Sequence, residues 1–507
     1  MTPDKTTAPL VILCLEAGEA ALLEQWAHAG FLPTIAGIMQ RGSSGRLTGP
    51  ELVNEHGVWV SLFSGLSRDQ HGYYYWRPLK PGTYELELTD LGDISALPFW
   101  SCLRGSSKKA AIIDPSESRL VSGLPGLQLA NWAPHNARYA ACSEPASLLP
   151  ELRERFGQEM AVEEDVDSDL ARDREIYRGL LKQIAQKGAL CRDVVRRDRF
   201  DLIAITFLES HIAGHQFLKY CSDVRGPAAI EDAELSDAIR NIYQAIDKEL
   251  GLLLADASAD ANVFVVSNVG LQEDYPSRQI IEAFCRELGY QVPAKSGSFS
   301  FRALARRALP AALRNALSGR LARSTRERLL ADGFRTGTDW QKTTAFAIPT
   351  LYTSFLRVNL RGREPQGIVE PREYDSVLDR LQADLEQLID PQSNRPAVKR
   401  IERSVDLFGG GPPFSLPDLF VEWTPTAYIK STVVHPQAVL IQRNLDYSRG
   451  SHHTYHGFLA AAGPSIGNRG SLGNIEILDL APTFLQLMNE NVPSAMRGTV
   501  NEKLCHL

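Results

Sequence analysis

Short apolar runs recur along the chain, each closed by polar or turn-forming residues. Pro9–Leu15 (PLVILCL), Leu202–Phe207 and Asn262–Ser267 (NVFVVS) are too short for a buried helix and carry no polar alternation; Lys108–Ile113 ends in a similar run. Runs of this kind are strands covered on both faces, as in a parallel sheet. Between them the apolar period lengthens to that of a helix. The spacing predicts helices over Ala171–Arg197 and Leu235–Leu254, and a helical stretch through Leu32, Ile35 and Met39 that Gly42 stops. Strands alternating with helices predict an α/β fold: a doubly wound, mostly parallel sheet flanked by helices.

After residue 270 the pattern changes. Residues 274–339 carry helical pieces and many arginines (302, 306, 307, 314, 320, 323, 326 and 328). This is either the solvated face of an inserted helical cap or a docking patch for an acidic partner. Strands are expected again within 344–358, 398–401 and 419–423, with a helix over 372–388 and a loop at GGGPP (409–413). The expected organisation is an α/β core built from 1–270 and 341–507, interrupted by a cap at 271–340.

Composition narrows the function classes. Of 507 residues, 44% are apolar and 23% charged, the balance of an ordinary soluble globular protein. A net charge of −7 weighs against nucleic-acid or anionic-membrane partners. Seven scattered cysteines contain no CxxC, so neither a disulfide framework nor a thiolate metal site is expected. No run approaches 18 apolar residues, and the first residues, MTPDKTTAPL, lack the basic-then-apolar pattern of a leader. The expectation is a cytoplasmic protein acting on a small molecule, with homo-oligomer formation left open.

The chemistry gathers at FLESHIAGHQF (207–217), directly after an apolar run. His211 and His215 lie four apart, a spacing that puts two imidazoles on one side of a helix. Such a pair calls for a third ligand from elsewhere. RGSHHTYHG (449–457) offers three histidines in five residues, His452, His453 and His456, in a chain that has eleven. Glu16 closes the first apolar run, where open α/β sheets carry their functional groups. Glu55 precedes the helical spacing of Val58, Trp59, Leu62 and Phe63, which also suits a simple helix cap.

Several stretches together resemble the alkaline phosphatase superfamily, in particular its type I phosphodiesterase/nucleotide pyrophosphatase branch. They are LPTIAGIMQRGSSGRL (32–47), WVSLFSGLSRDQHG (59–72), TDWQKTTAFAIP (338–349), NLRGREPQGIVEP (359–371), LPDLFVEW (416–423), FLAAAGPSI (458–466) and ILDLAPTFLQLM (477–488). The resemblance covers nearly the whole chain and implies that fold, with two metal ions, usually zinc, held at fixed positions. The strand-1 position, an Asp in the family, is Glu16. The nucleophile position, a Thr or Ser, is Glu55. In the family's Asp-x-x-x-His pair, His211 replaces the Asp and His215 keeps the His. The family's adjacent Asp-His has become Asn268-Val269, and the late metal-binding His matches His453, with His452 and His456 as neighbours.

A hydroxyl nucleophile is therefore missing, and the second metal position has lost a carboxylate and an imidazole. What the resemblance leaves is His211, His215, His453 and Glu55, with Glu16 nearby. One divalent transition metal is expected in preference to two: iron foremost, with zinc or manganese as alternatives. Glu55 and Glu16 are the expected catalytic carboxylates and further ligands. The expected chemistry is oxygen-dependent turnover of a small, anionic metabolite. The alternatives are hydrolysis of a phosphate or sulfate ester by a metal-bound water, and a non-catalytic binding module.

Overall fold

The computed structural model describes residues 7–49, 56–133, 139–159, 162–294, 323–442 and 449–506. Nine strands form its main sheet: β1 Leu10–Leu15, β2 Ser43–Thr48, β3 Ala110–Ile113, β4 Gly126–Ala130, β5 Cys142–Glu144, β6 Leu202–Phe207, β7 Asn262–Ser267, β8 His456–Ala462 and β9 Gly470–Glu476. Their order is β9-β2-β8-β7-β1-β6-β3-β4-β5. The centre, from β7 through β1, β6 and β3 to β4, is parallel. β8 runs antiparallel between β7 and β2, and β5 antiparallel at one edge.

β1 shows why the apolar runs carry no alternation. Val11, Leu13 and Leu15 enter a core shared with the helices Ala20–His28, Pro33–Arg41, Leu170–Val195, Glu209–Phe217 and Ala238–Asp256. Leu10, Ile12 and Cys14 enter a second core on the opposite face, against Val58–Ser64 and Leu480–Leu487. Successive side chains point to opposite faces of a strand, and both faces here are covered, so every position must be apolar.

Two edge-side strands, β2 (SSGRLT) and β9 (GSLGNIE), have no apolar run and were not predicted. Tertiary pairing makes them strands: β2 is bonded to β8 on one side and β9 on the other.

Beyond residue 270 the chain forms a second lobe with its own sheet. Ala345–Ile348, Ser354–Val358, Val398–Arg403 and Leu419–Trp423 form a separate antiparallel sheet. Ile280, Ile281 and Phe284 of the helix Arg278–Glu287 share a core with Ala345, Leu356, Leu378 and Leu419. This second core draws on residues from both sides of residue 340. Of the arginine-rich stretch, 302, 306, 307, 314 and 320 lie outside the described residues. Among the described residues, no helix is long and apolar enough to cross a membrane.

Phe264 on β7 is fully buried, and its ring meets Phe484 at 5.0 Å, edge to face. Phe264→Ala is expected to cost about 3–5 kcal/mol in denaturant unfolding; a loss below 1 kcal/mol would contradict a packed sheet centre.

Candidate metal centre

The site is built from the carboxyl ends of β6, β1 and β7. β6 runs directly into the helix Glu209–Phe217, which carries His211 and His215 one turn apart on one side. The third imidazole comes from a short strand, Ser451–Thr454, paired antiparallel with Gly270–Glu273 just past β7. Side chains alternate along that strand, so His453 and His452 face opposite ways. His453 turns towards the helix. His452 turns away and stacks on Tyr352, with centroids 4.2 Å apart and planes 13° apart. His456 is exposed at the start of β8.

His211, His215 and His453 converge: their ligand atoms all lie within 4.8 Å of one another. Ring centroids are 4.7, 4.9 and 4.8 Å apart. His215 Nε2 lies 3.2 Å from His453 Nε2. Two nitrogens coordinating one tetrahedral zinc at the usual bond length stand about 3.3 Å apart. Two of the three rings are held through Nδ1. His453 Nδ1 donates to the Gly270 carbonyl at 3.2 Å, and His215 Nδ1 pairs with Ser451 Oγ at 2.8 Å. The Gly270 carbonyl can only accept, which selects the His453 tautomer with its lone pair on Nε2, the arrangement that surrounds metal-bound histidines. The donor set fits a divalent transition ion. His211 and His453 are buried, and His215 is partly accessible.

Close approach of the elements has a local cause. A Cβ at Gly214, between the two helix histidines, would stand 2.8 Å from Leu271 of the facing strand. Glycine lets helix and strand close to the distance at which His215 meets His453.

Glu16 is not part of the three-histidine group. Its carboxylate accepts from Trp59 Nε1 at 2.6 Å, Ser116 Oγ at 2.5 Å and Asn268 Nδ2 at 3.2 Å. Burial pushes its pKa up to about 7, against the opposing pull of these donors, with the nearby Glu117 carboxylate adding to the rise. Asn268 is committed at both ends, because its Oδ1 accepts the Ala17 N–H at 2.9 Å. Glu55 lies outside the described residues. Next to it, His56 Nδ1 meets Glu117 Oε1 at 3.2 Å, and Glu117 Oε2 accepts the Gly57 N–H at 2.8 Å.

The supporting groups Ser451, Gly270, Trp59 and Ser116 were not singled out from the sequence. Ser451 left a signal: it stands two residues before His453 on a strand and so shares its face. The others meet the site through long-range contacts that no local pattern records.

No family model matches the chain, and no curated protein matches its sequence. Solved structures do show similarity. Human ectonucleotide pyrophosphatase/phosphodiesterase 5 aligns with a TM-score of 0.48 at 12% identity, covering 98% of this chain and 100% of that one. Phosphonoacetate hydrolase from Sinorhizobium meliloti 1021, in complex with phosphonoformate, aligns with a TM-score of 0.49 at 13% identity, covering 96% of each chain.

The raised Glu16 pKa sets a pH dependence. The folded chain holds this proton up to about pH 7, whereas an unfolded glutamate releases it near its ordinary value of 4.5. Unfolding between those values releases a proton, so metal-free stability falls as pH rises through this window. The loss is about 3 kcal/mol when complete. Denaturation of Glu16→Gln in parallel with the wild type should show a flatter profile from pH 4.5 to 7; identical slopes would refute the assignment.

Proposed function

We propose that this chain is a metal-dependent hydrolase that holds one divalent ion, zinc by preference, at His211, His215 and His453 and acts on a small anionic ester of the phosphate or sulfate kind. The observation that carries the reading is the convergence of three imidazoles, two of them held at Nδ1, His453 by the Gly270 carbonyl and His215 by Ser451. Three histidines with an open position form the donor set of water-activating zinc sites. The iron and oxygen chemistry expected from three histidines plus Glu55 is not carried forward. It relied on a fourth, carboxylate donor, and Glu55 lies outside the described residues.

A single ion fits the surroundings better than a pair. At the position where the resemblance implies a second ion, Asn268 spends its oxygen on the Ala17 N–H and its amide on Glu16. When bound, the ion supplies Lewis-acid polarisation and an acidified water. Neutral imidazoles leave its charge uncompensated, which favours an anionic substrate group. Glu16, with a pKa near neutrality, is the proposed proton acceptor. Trp59, Ser116 and Asn268 orient its carboxylate. No hydroxyl side chain stands at the nucleophile position the resemblance implies, so attack by water replaces a covalent route.

Zinc analysis and a panel of aryl phosphate and sulfate esters test this reading. Wild type should retain close to one zinc per chain, and His211→Ala or His453→Ala should lose it together with turnover by at least a hundredfold. Activity should rise with pH through about 7 as Glu16 ionises, and Glu16→Gln should abolish that limb. Stoichiometric zinc in His211→Ala would rule the site out.

A further inference from the structure

The short strand that carries His453 has a reverse side that the metal reading does not use. His452 faces that way and lines a small cavity of about 10 Å3. This is room for one body the size of a water molecule. The lining draws on two parts of the fold. Tyr352, Glu422 and Trp423 come from the second lobe. Asp274 and Ser277 come from the turn between Gly270–Glu273 and the helix Arg278–Glu287.

Two oxygens in this lining call for a ligand. Ser277 is 1% exposed, and its hydroxyl has no hydrogen-bond partner among the described residues. The residue stands at the N-cap of its helix, yet its side chain makes no cap bond. A serine oxygen carries two acceptor lone pairs, and both are open here. Asp274 is 5% exposed. Its Oδ1 accepts the Tyr275 N–H at 2.9 Å and the Thr426 N–H at 3.1 Å, which leaves Oδ2 for the cavity. Burial pushes the Asp274 carboxyl up to about 6, against the pull of the Lys430 ammonium and the two N–H groups, and the Glu422 carboxylate adds to the rise.

Charge and size together choose the ligand. Asp274, Glu422 and Lys430 are all buried. Lys399 and Arg400, which approach Glu422 at 2.8 and 3.7 Å, are about half exposed. Two buried carboxylates against one buried ammonium leave the group short of one positive charge. A divalent ion that keeps its waters does not fit in a space for one small body. Aromatic side chains in the lining, Tyr352 and Trp423, suit a weakly hydrated monovalent cation.

We propose that this cavity binds one monovalent cation of the size of potassium, held by Asp274 Oδ2 and Ser277 Oγ, and that the ion ties the turn beyond Gly270–Glu273 to the second lobe. The site is separate from the three histidines, and its readout is thermal stability rather than turnover.

Potassium chloride is the probe, replacing tetramethylammonium chloride stepwise at constant ionic strength so that screening stays the same. Tetramethylammonium is too large for the cavity. Thermal midpoints are followed for wild type, Asp274→Asn and Ser277→Ala. The wild-type midpoint is expected to rise with K+ along a saturating curve, by about 2 °C or more. Asp274→Asn should abolish the rise, and Ser277→Ala should weaken the apparent K+ affinity by about fivefold. If Asp274→Asn does not fold, Ser277→Ala carries the test, since it removes a hydroxyl with no partner in the fold. A cavity that holds only water predicts the same wild-type midpoint in both salts, and that result would overturn the proposal. A K+ response left unchanged in either folded variant would also overturn it, because the ion would then act elsewhere.

Discussion

The register of three parallel strands governs the site. Leu15 of β1 pairs with Phe207 of β6 on one side and with Ser267 of β7 on the other. The three chains therefore leave the sheet level with one another, and the next residues along each are Glu16, the start of the site helix, and Asn268. Hydrogen bonds then lock these exits together. Ser210 Oγ donates to the Glu16 carbonyl at 2.6 Å, and the Ala17 N–H donates to Asn268. Ala17 itself sits at a φ of 50°, a strained turn at the end of β1. A slip of one residue in either pairing would turn each side chain to the other face of the sheet and disperse the group.

Two electrostatic environments lie side by side at this edge. One is a trio of converging imidazoles, of which His215 and His453 are held through Nδ1. The other is a carboxyl group, surrounded by donors, whose burial outweighs them and leaves it near neutrality. His211 contributes an imidazole to the first. Asn268 donates to the Glu16 carboxylate and accepts from Ala17, part of a hydrogen-bonded network around a single titratable group.

Support for the histidines comes from separate parts of the chain. The antiparallel pair Gly270–Glu273 and Ser451–Thr454 fixes His453 from one side. Ser210 Oγ, donating to the Glu16 carbonyl at 2.6 Å, holds the start of the site helix from the other. Between them, Gly214 allows the approach that brings the rings into range. Such support from several directions holds a constellation more closely than the ligand-bearing elements do alone.

Much of this architecture is written locally. Unbroken apolar runs at 10–15, 202–207 and 262–267 specify doubly covered strands, because a strand with a wet face cannot be apolar at every position. The i, i+4 spacing of His211 and His215 likewise specifies a shared helix face without reference to the rest of the chain. What the tertiary structure alone decided is which partners meet. Polar β2 and β9 become strands only because β8 lies beside them, and the strands of 345–423 form a lobe sheet rather than joining the central one. His453 rather than His452 or His456 reaches the pair, because strand alternation and pairing to Gly270–Glu273 turn it inward. Lys187 and Asp114, distant in sequence, form a buried ion pair at 2.7 Å, a relation that depends on three-dimensional distance and leaves no trace in local periodicity.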